Sequence, residues 1–176
     1  MSGLAALALA GATMAGCTSD RVPGCVPPSN EAGLLDEFSN EPVLAVAPEG
    51  SKRREQPMRV AACHRFGEHA TETAVAVHYD LPRGLAPGEV RSLYDPVATR
   101  SGWMPVPTIA GQLMLRYCRS VLGQPGLLDV MWQNAIEPPA GERVPAVISI
   151  LLRPADENSF TQAAEVEAAR KGGCRQ

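Results

Sequence analysis

Three apolar runs between Gln112 and Arg153, separated by two turn-forming segments, constrain the fold of this chain more than any other feature. In Gln112–Arg119, Leu113, Leu115 and Tyr117 alternate with Met114, Arg116 and Cys118; Leu127–Gln133 and Ala146–Arg153 follow. Alternation puts successive side chains on opposite faces of a strand. The turn signals between them, Gly123-Gln124-Pro125-Gly126 and Glu137-Pro138-Pro139-Ala140-Gly141, favour an antiparallel meander, because parallel neighbours need a longer crossover. A fourth strand is predicted at Thr73–Asp80, with Val75, Val77 and Tyr79 on one face, and Leu81-Pro82-Arg83-Gly84 ends it as a turn.

Between that strand and the meander the period changes. Pro87 suits a first helical turn, Glu89 suits the positive end of the helix, and Val90, Leu93, Tyr94 and Val97 recur at helical spacing up to Gly102. Pro96 falls inside this helix, where proline removes a hydrogen bond and costs about 3 kcal/mol, so a kink is expected, or a break with Asp95 capping the second half. Upstream, Asn30 precedes a short helix over Glu31–Phe38, Pro42–Pro48 reads as an edge strand or extended segment, and Met58–Arg65 reads as a strand. Met104–Ala110 reads as a loop, and Ser159–Lys171 as a helical tail. The expected fold is α+β: a two-layer sandwich with a β-α-β-β-β core, its mostly antiparallel sheet of four to five strands carrying one main helix. The domain occupies residues 31–158, and 159–176 form a helical or flexible tail.

The run VHYDLPRGLAPGEVRSLYDPVATRSGW resembles a pattern in small uncharacterised lipoproteins of high-GC Gram-positive bacteria, where a strand, a turn and an amphipathic helix are closed by Gly-Trp. Glu41-Pro42-Val43 and Ala47-Pro48-Glu49-Gly50 look similar too. These residues are structural, and the resemblance supplies no catalytic residue. The N-terminus fits the same group. Leu4–Ala15 is uncharged and spans roughly 18 Å as a helix, short of a bilayer core of roughly 30 Å, which suits a signal peptide better than a transmembrane helix. Met14-Ala15-Gly16-Cys17 resembles a lipobox, although Met1-Ser2-Gly3 lacks the usual basic residues. The resemblance implies that residues 1–16 are a signal peptide, that Cys17 receives the lipid, and that 17–30 are a flexible tether. Two acyl chains anchor stably where one does not.

With Cys17 lipidated, Cys25, Cys63, Cys118 and Cys174 remain. Four cysteines outside the cytoplasm suggest two disulfides, with three connectivities. The expected pair is Cys63–Cys118, both in predicted strands, leaving Cys25–Cys174 to join the two ends. Cys63-His64 and His69 offer ligand types for a metal, but the chain has no paired CxxC and no second cluster of fitting spacing.

Signatures of chemistry are missing. There is no G-x-S-x-G elbow, and Gly50-Ser51-Lys52 lacks the glycine spacing of a phosphate loop. No cofactor motif is present. A net charge of −3 argues against a nucleic-acid partner, and the lone basic cluster Lys52-Arg53-Arg54 is flanked by Glu49 and Glu55. The residues singled out for binding are Trp103 and Trp132, which would line a groove if exposed, and His78, of a residue type suited to pH sensing. The sequence therefore points to an exported, lipid-anchored, non-enzymatic binding or accessory domain with an envelope protein as partner. The competing classes are a small envelope hydrolase or transferase and a small-ligand-binding lipoprotein.

Overall fold

The computed structural model describes residues 21–66, 69–81, 85–108, 114–133, 146–155, 159, 163–171 and 174. The expected signal peptide and Cys17, residues 82–84 of the predicted turn, residues 112 and 113 of the predicted strand Gln112–Arg119, and the predicted turn Glu137–Gly141 lie outside these residues. Among them the chain forms nine strands: β1 (Lys52–Arg53), β2 (Met58–Val60), β3 (Arg65–Phe66), β4 (His69–Ala70), β5 (Ala74–Leu81), β6 (Met104–Val106), β7 (Met114–Val121), β8 (Gln124–Gln133) and β9 (Ala146–Pro154). The helices are α1 (Glu31–Ser39), α2 (Pro87–Arg100) and α3 (Ala163–Lys171), with a 3-10 turn at Pro42–Ala45.

Seven strands form one antiparallel sheet in the order β1-β5-β9-β8-β7-β6, and β2 shares the outer edge of β5 with β1. β3 and β4 make a separate two-stranded ribbon. The expected one-helix sandwich on four or five strands is therefore overturned: the domain is mostly β, its main sheet has seven strands, and three short helices accompany it. The missed strands are too short for periodicity to register. β1, β4 and β6 hold two or three residues each, and β6 lies in the predicted loop. The predicted strand Met58–Arg65 divides into β2 and β3, and the apolar segment between Pro42 and Pro48 turns as a 3-10 helix instead of joining an edge.

Register sorts the side chains into two faces. Val75 opposes Leu152, Val77 opposes Ile150, and Tyr79 opposes Ile148; across β9, Leu152, Ile150 and Ile148 oppose Leu128, Val130 and Trp132. These residues, with Leu115 and Tyr117 of β7, meet Leu34, Leu35 and Phe38 of α1, Val43 and Leu44 of the 3-10 turn, and Val90, Tyr94 and Ala98 of α2 in the main core. A second, smaller core lies on the other face, where Val106, Cys118 and Leu127 meet Ala169 of α3 and Cys174. The sheet therefore carries helices on both faces, α1 and α2 on the first and α3 on the second.

Helix α2 runs through Pro96 without breaking. The Glu89 carboxylate accepts the Ala86 N–H at 2.8 Å and closes the first turn. Asp95 caps no second half: its carboxylate accepts the Tyr117 hydroxyl and lies 3.6 Å from the Arg91 guanidinium. Asn30 precedes α1 without a side-chain cap bond. Instead the Glu31 carboxylate reaches out to the Ala62 N–H at 2.5 Å and the Thr73 hydroxyl at 2.7 Å, tying α1 to the start of β5.

Both disulfides differ from the expected pairing. Cys25 bonds Cys63, and Cys118 bonds Cys174. Cys63 and Cys118 do not share a strand pair: Cys63 sits between β2 and β3 with φ of 67°, and Cys118 points to the α3 face of β7. Residues 21–25, placed in the tether by sequence, are held against the domain. Arg21 bridges His64, and the Val22 N–H donates to the Cys63 carbonyl at 2.7 Å.

Candidate functional site

The two tryptophans occupy different environments. Trp103 stands three residues past the end of α2 and is 1 % exposed. Its indole Nε1 donates to the Glu41 carboxylate at 3.0 Å, the Arg119 guanidinium stacks 4.7 Å from its ring centroid, and Arg119 pairs with the same Glu41. Arg119 also donates to the Ser101 carbonyl. Gly126 makes room for this cluster, since a Cβ there would meet Val121 at 3.0 Å and the Trp103 ring at 3.5 Å. Trp103 thus lines no groove. It pins the end of α2 to β7 and to the start of the 3-10 turn.

Trp132 sits at the other end of the main core, partly buried, and its Nε1 is buried without a hydrogen-bond partner among the described residues. The same holds for Arg53 Nε and Ser51 Oγ. Register connects the first two. Arg53 opposes Tyr79, Tyr79 opposes Ile148, and Ile148 opposes Trp132, so Arg53 and Trp132 share one face and one cross-strand row. The Arg53 guanidinium lies 5.9 Å from the Tyr79 ring centroid, within cation–π reach. Buried donors without acceptors cost about 1–3 kcal/mol each, so this row holds donor capacity that the fold itself does not use.

His78 lies on the opposite face, half-buried, with Nδ1 2.8 Å from the Ser149 hydroxyl on the strand beside it. The two residues are direct register partners. A nucleophilic serine needs a base that is itself oriented and an open approach. Ser149 is 5 % exposed. The nearest carboxylate along β5, Asp80, is held by Arg54 at 2.7 Å. The pair is a cross-strand hydrogen bond, and no triad is assembled among the described residues.

Farther along that face is an ion network. Arg116 grips Asp129 with two bonds, Nε to Oδ1 at 2.7 Å and Nη2 to Oδ2 at 3.0 Å, and donates to the Ser159 carbonyl at 3.0 Å. Arg153 adds to Asp129 at 3.7 Å, and Glu72 adds to Arg153 at the same distance. The bond to Asp129 raises the Arg116 pKa above its ordinary value, against the effect of burial. Asp129 and Glu165 of α3 are both buried. A buried carboxylate with bidentate guanidinium pairing is satisfied rather than reactive. The network holds Ser159 to the sheet.

Of the metal-ligand types considered in the sequence, Cys63 is consumed by its disulfide, and no group of His, Cys, Asp and Glu suited to a metal ion occurs among the described residues. Among them there is also no helix long and apolar enough to cross a membrane. Of the residues singled out for binding, Trp132 has a buried polar atom without a hydrogen-bond partner among the described residues. Its partners in that property, Arg53 and Ser51, sit between Glu49 and Glu55 in and beside the basic cluster, where no periodicity could flag them. No protein-family model, curated protein or solved structure matches the chain.

Proposed function

We propose that this is an extracytoplasmic domain tethered to the outer face of the cell membrane by lipid on Cys17, and that it acts as a binding or accessory module for an envelope protein. The observation that carries the reading is the cysteine arithmetic. The chain has five cysteines, and the two disulfides use Cys25, Cys63, Cys118 and Cys174. Cys17 is the residue left over, and it closes the Met14-Ala15-Gly16-Cys17 segment that resembles a lipobox. Two disulfides within one small domain also fit an oxidising compartment. The ion network and the His78–Ser149 pair are structural, which favours a binding role over hydrolysis. The test is Cys17→Ala in a producing cell, followed by fractionation and mass analysis of the mature N-terminus. The variant should be released or left unprocessed; membrane anchoring identical to the wild type refutes the reading. Crosslinking in intact membranes then identifies the partner.

A second reading, small-ligand binding, is favoured by the unused donors of Trp132, Arg53 and Ser51. It calls for a ligand with acceptor oxygens, such as a carboxylate or phosphate. Thermal-shift measurements with small carboxylates and phosphates should then give a response that Trp132→Phe removes.

A further inference from the structure

Five large apolar side chains are exposed among the described residues: Val26, Met58, Phe66, Met104 and Leu122. Three of them gather at one end of the sheet. That end is where β5 begins at Ala74, where β9 finishes at Pro154, and where β7 turns into β8 through Leu122 and Gly123. Leu122 stands in this turn, 50 % exposed. Val26, 85 % exposed, follows Cys25 directly, and its segment is joined to the turn by the Gln124 amide donating to the Ser29 hydroxyl at 3.1 Å. Phe66, 77 % exposed, ends β3 of the two-stranded ribbon.

The ribbon is held rigidly for an element so exposed. Cys63 at its base is bonded to Cys25, and Thr71 closes the loop: the Thr71 hydroxyl donates to the Ala61 carbonyl at 2.6 Å and accepts the His64 N–H at 3.0 Å, while the Cys63 N–H donates to the Thr71 carbonyl at 2.9 Å. Arg21 bridges His64, two residues from Phe66. Arg21 and Arg65 are both exposed and make no ion pair among the described residues.

Chain length decides what faces this end. Four peptide steps separate Cys17 from Arg21, and a fully extended chain covers at most about 14 Å over that distance. The polar headgroup layer on each side of a bilayer is itself roughly 5–8 Å thick. An acyl group on Cys17 therefore holds Arg21, and with it His64 and Phe66, close to the lipid surface. Exposed apolar side chains beside unpaired guanidinium groups are the composition that seats in an anionic headgroup layer, the apolar part entering and the charge remaining at the phosphates.

We infer that the domain docks on the membrane through this end, with Phe66, Val26 and Leu122 entering the headgroup region of anionic phospholipid and Arg21 and Arg65 facing its phosphates. The inference rests on the anchor at Cys17. It also sets the orientation of the rest: Lys52 and Arg53 oppose the far end of β5, and the row containing Trp132 faces away from the lipid.

The experiment places the photoreactive residue p-benzoylphenylalanine at position 66, and in a second variant at position 52, in the full chain in its own membranes with radiolabelled phosphatidylglycerol. Position 66 should yield roughly five-fold or more lipid adduct than position 52, which lies beyond the headgroup layer. Equal labelling at the two positions, or a protein adduct instead of a lipid adduct at 66, in a chain that still sediments with membranes and carries its acyl mass, overturns the docking while leaving the anchor intact. A chain that is soluble and unacylated overturns both.

Discussion

The indole nitrogen of Trp103 and the carboxylate of Glu41, sixty-two residues apart in sequence, are joined by a buried hydrogen bond of 3.0 Å. Arg119 stacks on the same indole and pairs with the same carboxylate, so one acidic side chain satisfies two buried donors from two elements. Glu41→Ala leaves both the indole N–H and a largely buried guanidinium without a partner. The expected loss is about 3–5 kcal/mol, read from urea unfolding. Glu41→Gln, which keeps an acceptor for the indole, should lose clearly less. A loss below about 1 kcal/mol for the alanine variant counts against this account.

Pro96 interrupts the hydrogen-bond ladder of α2 while its side chain faces solvent. With no packing role to lose, Pro96→Ala should restore a bond to the Ser92 carbonyl and raise stability, by up to about 3 kcal/mol. Thermal and urea midpoints should both rise. A fall in either would mean that the break in the ladder is required by the fold.

Each disulfide closes a long loop, with sequence separations of 38 and 56. The chain-entropy argument assigns about 4 kcal/mol to each. Replacing both Cys118 and Cys174 by alanine should therefore lower stability by a few kcal/mol and release α3 from β7, seen as faster amide exchange over Ala163–Lys171 while β5 and β9 stay protected. Non-reducing peptide mapping should recover Cys25 with Cys63 and Cys118 with Cys174. A peptide linking Cys63 to Cys118 contradicts the pairing.

Tyr94 and Tyr117 make the domain sensitive to alkali. Burial, with the neighbouring Tyr79, pushes the Tyr94 hydroxyl well above the ordinary phenol range; burial, with the bond to Asp95, does the same for Tyr117. In the unfolded chain both ionise near pH 10. Above that pH the unfolded state binds fewer protons than the folded one, so stability is fully present below about pH 10 and falls as pH rises. The slope is about 1.4 kcal/mol per tyrosine per pH unit. Urea unfolding at pH 8 and pH 11 should show the loss, and Tyr94→Phe should reduce it. An identical pH dependence in Tyr94→Phe removes Tyr94 from the explanation.

The long strands were legible because their patterns are long enough to repeat. Thr73–Asp80 and Ala146–Arg153 were read within a residue or two of β5 and β9, and the helix beginning at Pro87 was placed correctly despite Pro96. What escaped was decided by tertiary partners. β1 exists because the outer edge of β5 has free peptide groups for a passing chain to pair, and two residues carry no periodic signal. The cysteine pairing was not legible either, since proximity of Cys25 to Cys63 depends on a left-handed turn and on the Arg21 bridge, neither of which has a sequence signature. Aromatic residues show the same limit. Trp103 and Trp132 look alike in sequence, and only Glu41, distant in the chain, makes one of them a sealed core residue while the other keeps an unused N–H.

The disulfide pattern bears on how the chain reaches its folded state. The bonds join the cysteines in the order in which they are made, the first of the four with the second and the third with the fourth, so neither loop encloses the other. A chain emerging N-terminus first can close Cys25 to Cys63 before Cys118 has been exposed to oxidant. Cys118 then meets no free earlier thiol within this set and waits for Cys174. Oxidation in order of appearance produces the native pairs directly, and an oxidase with no isomerase activity is sufficient. The nested alternative, Cys63 with Cys118 inside Cys25 with Cys174, would require Cys25 and Cys63 to stay reduced together until Cys118 emerged, and Cys25 then to wait alone for Cys174.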